Sequence, residues 1–197
     1  WTAQTGGWVG SSVVANGVVY VGSYDNKLYA FKADGCGQAN CAPLWTAQTG
    51  IQSGDAVPSS PAVANGIVYV GSSGDYKLYA FKADGCGQAS CAPLWTAQTG
   101  FVIDSSPAVA NGVIYITSSS YNGIKDNMLS GFENKLYAFK ADGCGQANCT
   151  PLWIAQTTAP SNGFSPDSSP AVANGVVYVG SADHYLYAFK ADGCGQA

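Results

Sequence analysis

Six cysteines stand in three pairs of one spacing: Cys36 with Cys41, Cys86 with Cys91, and Cys144 with Cys149. Four intervening residues that include glycine allow a local disulfide, and closing so short a loop contributes roughly 2 kcal/mol in the chain-entropy model. Zinc needs four converging ligands, and no histidine or further cysteine accompanies any pair. The pairs therefore predict structural disulfides and an oxidising compartment: extracellular, cell surface or periplasmic. The seventh, Cys194, follows the same Ala-Asp-Gly leader without a partner five residues later. It is expected to be disulfide-bonded in the complete material, in which these residues are an excerpt of a larger assembly.

The other groups with chemical potential are acids and aromatics. Trp8, Asp55, Phe101, Asp104, Tyr121, Phe164, Asp167 and His184 are the candidate binding residues, with Asp126, Asp183 and Glu133 beside them. Aromatic side chains give contact area at low entropy cost. His184 has no His or Cys partner at ligand spacing, and no serine has a nucleophile-elbow context, so no hydrolytic site is predicted. Asp25, Asp75 and Asp183 read as turn residues that bond their own backbone. Calcium would need six or more converging oxygens, and none is assigned. Asn148-Cys149-Thr150 fits a glycosylation sequon whose cysteine is expected in a disulfide. No catalytic residue, cofactor or metal is predicted.

What positions these groups is a repeat. LYAFKADGCGQA occurs verbatim at 28–39, 78–89, 136–147 and 186–197, and a Trp-led segment opens at Trp1, Trp45, Trp95 and Trp153. Self-similarity at this period decides architecture before any single motif does. The units run 1–44, 45–94, 95–152 and 153–197. Each reads as four short strands, the first two joined by Asn-Gly, the strongest short hairpin signal. Strands such as 18–21 and 28–31 are apolar at consecutive positions, so both faces must be covered. The prediction is an all-β protein: a β-propeller of four-stranded antiparallel blades packed radially. A β-sandwich is the alternative, and it would need one solvated face.

Within the chain the units differ at two connections, those between the fourth strand and the next first strand and between the second and third, where 118–134 is a long insert. In an up-and-down blade these emerge at one end. The candidate residues sit there, on loops held by a rigid scaffold.

The succession SSPAVANG, VVYVGS, LYAF, Asp, Gly, PLW resembles the pyrroloquinoline-quinone-type propeller repeat, over the whole chain. Ala80, Asp84, Gly85 and Trp95 resemble its tryptophan-docking pattern, which implies that Trp45, Trp95 and Trp153 lock blades together. The resemblance implies seven or eight blades, or a polymer, and admits both quinoprotein dehydrogenases and non-enzymatic scaffolds. The dehydrogenases hold their quinone between a tryptophan and a vicinal disulfide, with acids, calcium and a cationic partner. This sequence has no adjacent cysteines, no arginine and one glutamate. The expectation is a non-catalytic binding or scaffold module for a protein or glycan partner. A self-assembling filament or surface-layer protein, joined through further copies of itself, is the alternative, and a dehydrogenase fragment the second. Eight lysines against twelve acids, spread singly through the repeats, exclude a nucleic-acid surface. No apolar run is long enough for a membrane-spanning helix.

Overall fold

The computed structural model describes residues 1–50, 57, 59–121, 124–125, 128–129, 132–158, 168–181 and 183–193. All regular elements are strands, arranged as four successive meanders. The first holds β1 (Val9–Ala15), β2 (Val18–Ser23), β3 (Lys27–Lys32) and β4 (Trp45–Gln48). The second holds β5 (Ala62–Ala64), β6 (Ile67–Gly71), β7 (Lys77–Lys82), β8 (Ser90–Cys91) and β9 (Trp95–Gln98). The third holds β10 (Ala108–Ala110), β11 (Val113–Tyr121), β12 (Ile124–Lys125), β13 (Met128–Leu129), β14 (Phe132–Lys140), β15 (Asn148–Cys149) and β16 (Trp153–Thr158). The fourth holds β17 (Ala171–Ala173), β18 (Val176–Gly180) and β19 (Leu186–Lys190).

Three sheets are built on four antiparallel strands, as the repeat predicted, and the fourth has three described strands; β8 adds in parallel to β4 of the first sheet and β15 to β9 of the second. Each first hairpin turns on Asn-Gly with both residues left-handed, as at Asn65 (φ 50°) and Gly66 (φ 76°). That is the geometry whose twist matches paired strands. The long insert extends the β11–β14 hairpin and adds the small β12–β13 ribbon.

The core lies between blades. Leu28, Ala30, Val68, Val70, Tyr79 and Phe81 fill the first interface, and their counterparts fill the next two. Consecutive apolar residues on β2 and β3 are explained by this stacking, because each blade has a neighbour to cover.

Two side chains per interface set the spacing. Trp45 lies against Gly85, where a Cβ would stand 2.6 Å from its Cδ1, and donates from Nε1 to the Ala83 carbonyl at 3.3 Å. Tyr20 packs on Trp45 and donates its hydroxyl to the same carbonyl at 2.9 Å. Trp95 and Trp153 repeat the seat on Gly143 and Gly193. The docking glycine thus belongs to the following blade: Gly85 receives Trp45, whereas Trp95 pairs with Ala80 in its own sheet and docks on Gly143.

These tyrosines make stability pH-dependent. Burial, with Asp142 adding to it, pushes the Tyr69 hydroxyl up to about 12. Burial raises Tyr20 and Tyr115 too, helped by Asp84 and Asp192. A released tyrosine titrates near 10, so between pH 10 and 12 the unfolded chain loses protons that the folded one keeps. Their contribution is whole below pH 10 and declines as pH rises, by about 3 kcal/mol for Tyr69. Melting temperatures should hold steady to about pH 10 and then drop, less steeply in Tyr69→Phe. An unchanged melt at pH 12 would contradict this.

Candidate binding face

In a meander, successive connections alternate between the two ends of the sheet. The Asn-Gly turns and the cysteine loops share one end of every blade, and the variable connections share the other. Charge separates the same way. At the constant end Lys32 pairs with Asp34, Lys82 with Asp84 and Lys140 with Asp142, at 3.3 to 3.6 Å. These exposed pairs add little stability, but they neutralise their surface, and Lys190 and Asp192 repeat the spacing. By place in the sequence, the variable end holds Asp25, Asp55, Asp75, Asp104, Asp126, Glu133, Asp167 and Asp183 against Lys27, Lys77, Lys125 and Lys135. Eight acids against four lysines equal the whole formal net charge of -4.

Beneath that end, one node recurs. The Tyr29 hydroxyl donates to Asp25 and accepts from the Gly6 N–H. Tyr79 does the same with Asp75 and Gly50, and Tyr187 donates to Asp183 at 2.6 Å. Asp183 also accepts from the Tyr185 N–H at 3.1 Å, as the turn reading predicted. Its slight desolvation is outweighed by hydrogen bonds from Tyr187, Ser181 and Tyr185, which hold the carboxyl below its usual range. At Asp25 and Asp75 the carboxylate accepts from the tyrosine, and Asp75 also pairs with Lys77 at 3.4 Å. The second oxygen of each is buried without a hydrogen-bond partner. Sequence reading missed this node, although an acid four residues before the LYAF tyrosine in every unit is its signal.

The predicted residues are distributed over blades, each held by its own. Trp8 is 83% exposed, its ring edge-on to Tyr24 at 6.2 Å. The Tyr24 N–H donates to the Trp8 carbonyl at 2.8 Å. A Cβ at Gly7 would stand 2.8 Å from the Asp25 nitrogen, so glycine permits the approach. Phe101 lies under the Lys135 ammonium, 5.3 Å from the ring centre. Asp104 is exposed, and His184 is an exposed turn residue at φ 72°. Tyr121 ends β11. Asp55, Asp126, Phe164, Asp167 and Cys194 lie outside the described residues. Tyr76 and Tyr185 add exposed rings in the second and fourth blades.

A quinone cofactor does not fit this donor set. The three disulfides each join residues five apart, so none is vicinal. The rings of Trp45 and Trp95 are buried between blades, where each packs at a tilt against a tyrosine, Tyr20 or Tyr69. Among the described residues no three His, Cys, Asp or Glu side chains are grouped to hold a metal. Nor is any helix among them long and apolar enough to cross a membrane.

A family model described as outer membrane protein assembly factor BamB matches residues 1–120 and again 37–194. No curated protein matches the sequence. Among solved structures, the computationally designed protein Ika4 is similar at 14% identity and a TM-score of 0.60, over 95% of this chain and 93% of that one. A europium-containing methanol dehydrogenase has 16% identity and a TM-score of 0.64, with 95% of this chain covering 41% of it. The quinohemoprotein alcohol dehydrogenase of Comamonas testosteroni gives 16% and 0.63, with 34% of its length covered. The chain thus spans less than half of either dehydrogenase.

Proposed function

Because this chain belongs to the family described as outer membrane protein assembly factor BamB, propellers of pyrroloquinoline-quinone-like repeat, we propose that it is an exported, non-catalytic binding or scaffold module. It engages a protein or glycan through the variable loop face. The observation that carries this is the segregation of excess negative charge and exposed aromatic rings at one end of blades whose other end is charge-neutral. Exposed tryptophan on a rigid scaffold is the residue type that dominates recognition. The three local disulfides fit an exported protein.

Screening defined glycans and basic and neutral peptides by tryptophan fluorescence tests the reading. A ligand of this face should bind at least tenfold more weakly to Trp8→Ala, a loss of about 1.4 kcal/mol. The substitution should leave folding intact, because Trp8 is exposed. Stoichiometric uptake of pyrroloquinoline quinone with calcium, followed by dye-linked alcohol oxidation, would overturn it.

A further inference from the structure

We infer that the clefts between successive blades at the Asn-Gly end are binding sites for the sugar rings of a neutral polysaccharide. Three equivalent clefts open there, one at each boundary between the four blades, with volumes of about 400, 420 and 610 Å³. All three fall within the roughly 300–1,000 Å³ that small-ligand sites occupy. This end lies opposite the variable loops, so a ligand held here is additional to one held by the loop face.

The same groups line each cleft. To the first, one blade contributes Asn16 and half-buried Val18, and the next contributes Asn65, Lys82 and Asp84. The second repeats this with Asn65, Ile67, Asn111, Lys140 and Asp142, and the third with Asn111, Val113, Lys190 and Asp192. Asn16, Asn65 and Asn111 are exposed at the tips of their turns. A Cβ on the glycine after each would meet nothing within 4 Å, so the mouths of the clefts are open.

A carboxamide both donates and accepts, an ammonium donates and a carboxylate accepts, which is the set that neighbouring hydroxyl groups on one ring require. The aliphatic side chain beside them gives the C–H face of that ring an apolar surface to pack on. Charge selects a neutral ligand: Lys82 with Asp84 at 3.6 Å and Lys140 with Asp142 at 3.4 Å leave the first two clefts without net charge. The backbone argues against a peptide, because main-chain recognition needs free N–H and C=O groups. Here the Gly66, Gly112 and Gly175 carbonyls accept from the Ala83, Ala141 and Ala191 N–H groups at 2.9 Å. The carbonyls of those alanines are taken in turn by the hydroxyls of Tyr20, Tyr69 and Tyr115. Side chains are therefore what the clefts offer. Like clefts in succession match a polymer of one repeating sugar, and simultaneous engagement multiplies a weak single-site affinity by about 10²–10⁴.

Affinity electrophoresis of the chain through gels holding dextran, mannan or xylan, with acidic polygalacturonate as the control, tests this. At least one neutral polymer should retard the chain, and its own monosaccharide should compete only at concentrations about a hundredfold higher per sugar. Asn65 and Asn111 each line two clefts. Asn65→Gly/Asn111→Gly removes a carboxamide from all three and should weaken retardation at least about tenfold, since every site of the array is damaged. Gly-Gly and Asp-Gly both keep the hairpin turn, so Asn65→Asp/Asn111→Asp is a second folded variant with the same expected loss, its melting temperature the check on folding. Trp8→Ala should leave retardation unchanged, which separates these sites from the loop face. A chain that no neutral polymer retards, one retarded by polygalacturonate alone, or retardation that survives both asparagine variants or is abolished by Trp8→Ala would each overturn the cleft sites.

Discussion

Replacing Trp45 with alanine should lower the unfolding free energy by about 3–5 kcal/mol, a fall of roughly 6–20 °C in melting temperature for a chain of this size. The ring is one side of an interface, not an ornament of its own strand. It is 3% exposed and packs with Tyr20 and Phe81. Its removal leaves a cavity between two sheets whose regular hydrogen-bonded link beside it is the short β4–β8 pairing. It also withdraws a donor from the Ala83 carbonyl, although Tyr20 still satisfies that oxygen. The cost should therefore come from packing, and Trp45→Phe should recover much of it. Gly85→Ala tests the same contact from the other side. At φ 82° and with the Trp45 Cδ1 only 2.6 Å from the new methyl, alanine meets both a backbone and a steric penalty. Because blades contact only their neighbours, the damage should be local. Unfolding should broaden or split, as in arrays stabilised by nearest-neighbour interfaces. A loss below about 1 kcal/mol in denaturant melts would show that these seats do not hold the blades together.

The repeat made most of this architecture legible. Asn-Gly at four matching places specified the left-handed turns, and the apolar doublets of VVYVG and LYAF required cover on both faces. What the sequence hid was direction. LYAFKADG and the Trp that follows it read as one motif, yet the glycine belongs to the seat of the preceding tryptophan. A pattern along the chain does not reveal which of two adjacent sheets a ring enters. The acid-tyrosine node was hidden for a related reason. Asp25 and Asp75 look like turn residues because a β-turn and a buried carboxylate demand the same spacing, and only the positions of Tyr29 and Tyr79 separate the two. The loop face was legible as a place but not as a cluster. Trp8, Phe101, Asp104 and His184 each answer to their own blade, and nothing in sequence spacing sets the distance between blades.

Reducing the three disulfides should cost about 6 kcal/mol in total, at roughly 2 kcal/mol for each loop in the chain-entropy model. That is a large share of the 5–15 kcal/mol that holds a typical domain together. The loss should also have an address. Each cysteine loop leaves β3, or its counterpart, and sends its second cysteine back across the blade boundary. Cys91 in β8 pairs in parallel with Ala47 in β4, and Cys149 in β15 with Ala97 in β9. The Cys41 N–H donates to the Thr2 carbonyl at 2.8 Å. A two-residue strand gains little from its own hydrogen bonds and must be held in place by something else. The 5.6 Å Cα separation across each bridge fixes the loop in the shape that lets it reach the neighbour. Opening one bridge should therefore loosen one latch. In Cys86→Ser/Cys91→Ser the Thr46 N–H, which donates to the Ala89 carbonyl at 2.8 Å, should lose hydrogen-exchange protection. The Thr96 N–H, bonded to Ala147 at 2.8 Å, should keep it. The paired change at Cys144 and Cys149 should reverse the two. Uniform loss of protection across all blades, or none at either threonine, would show that the bridges act on the unfolded chain alone and do not hold the latch.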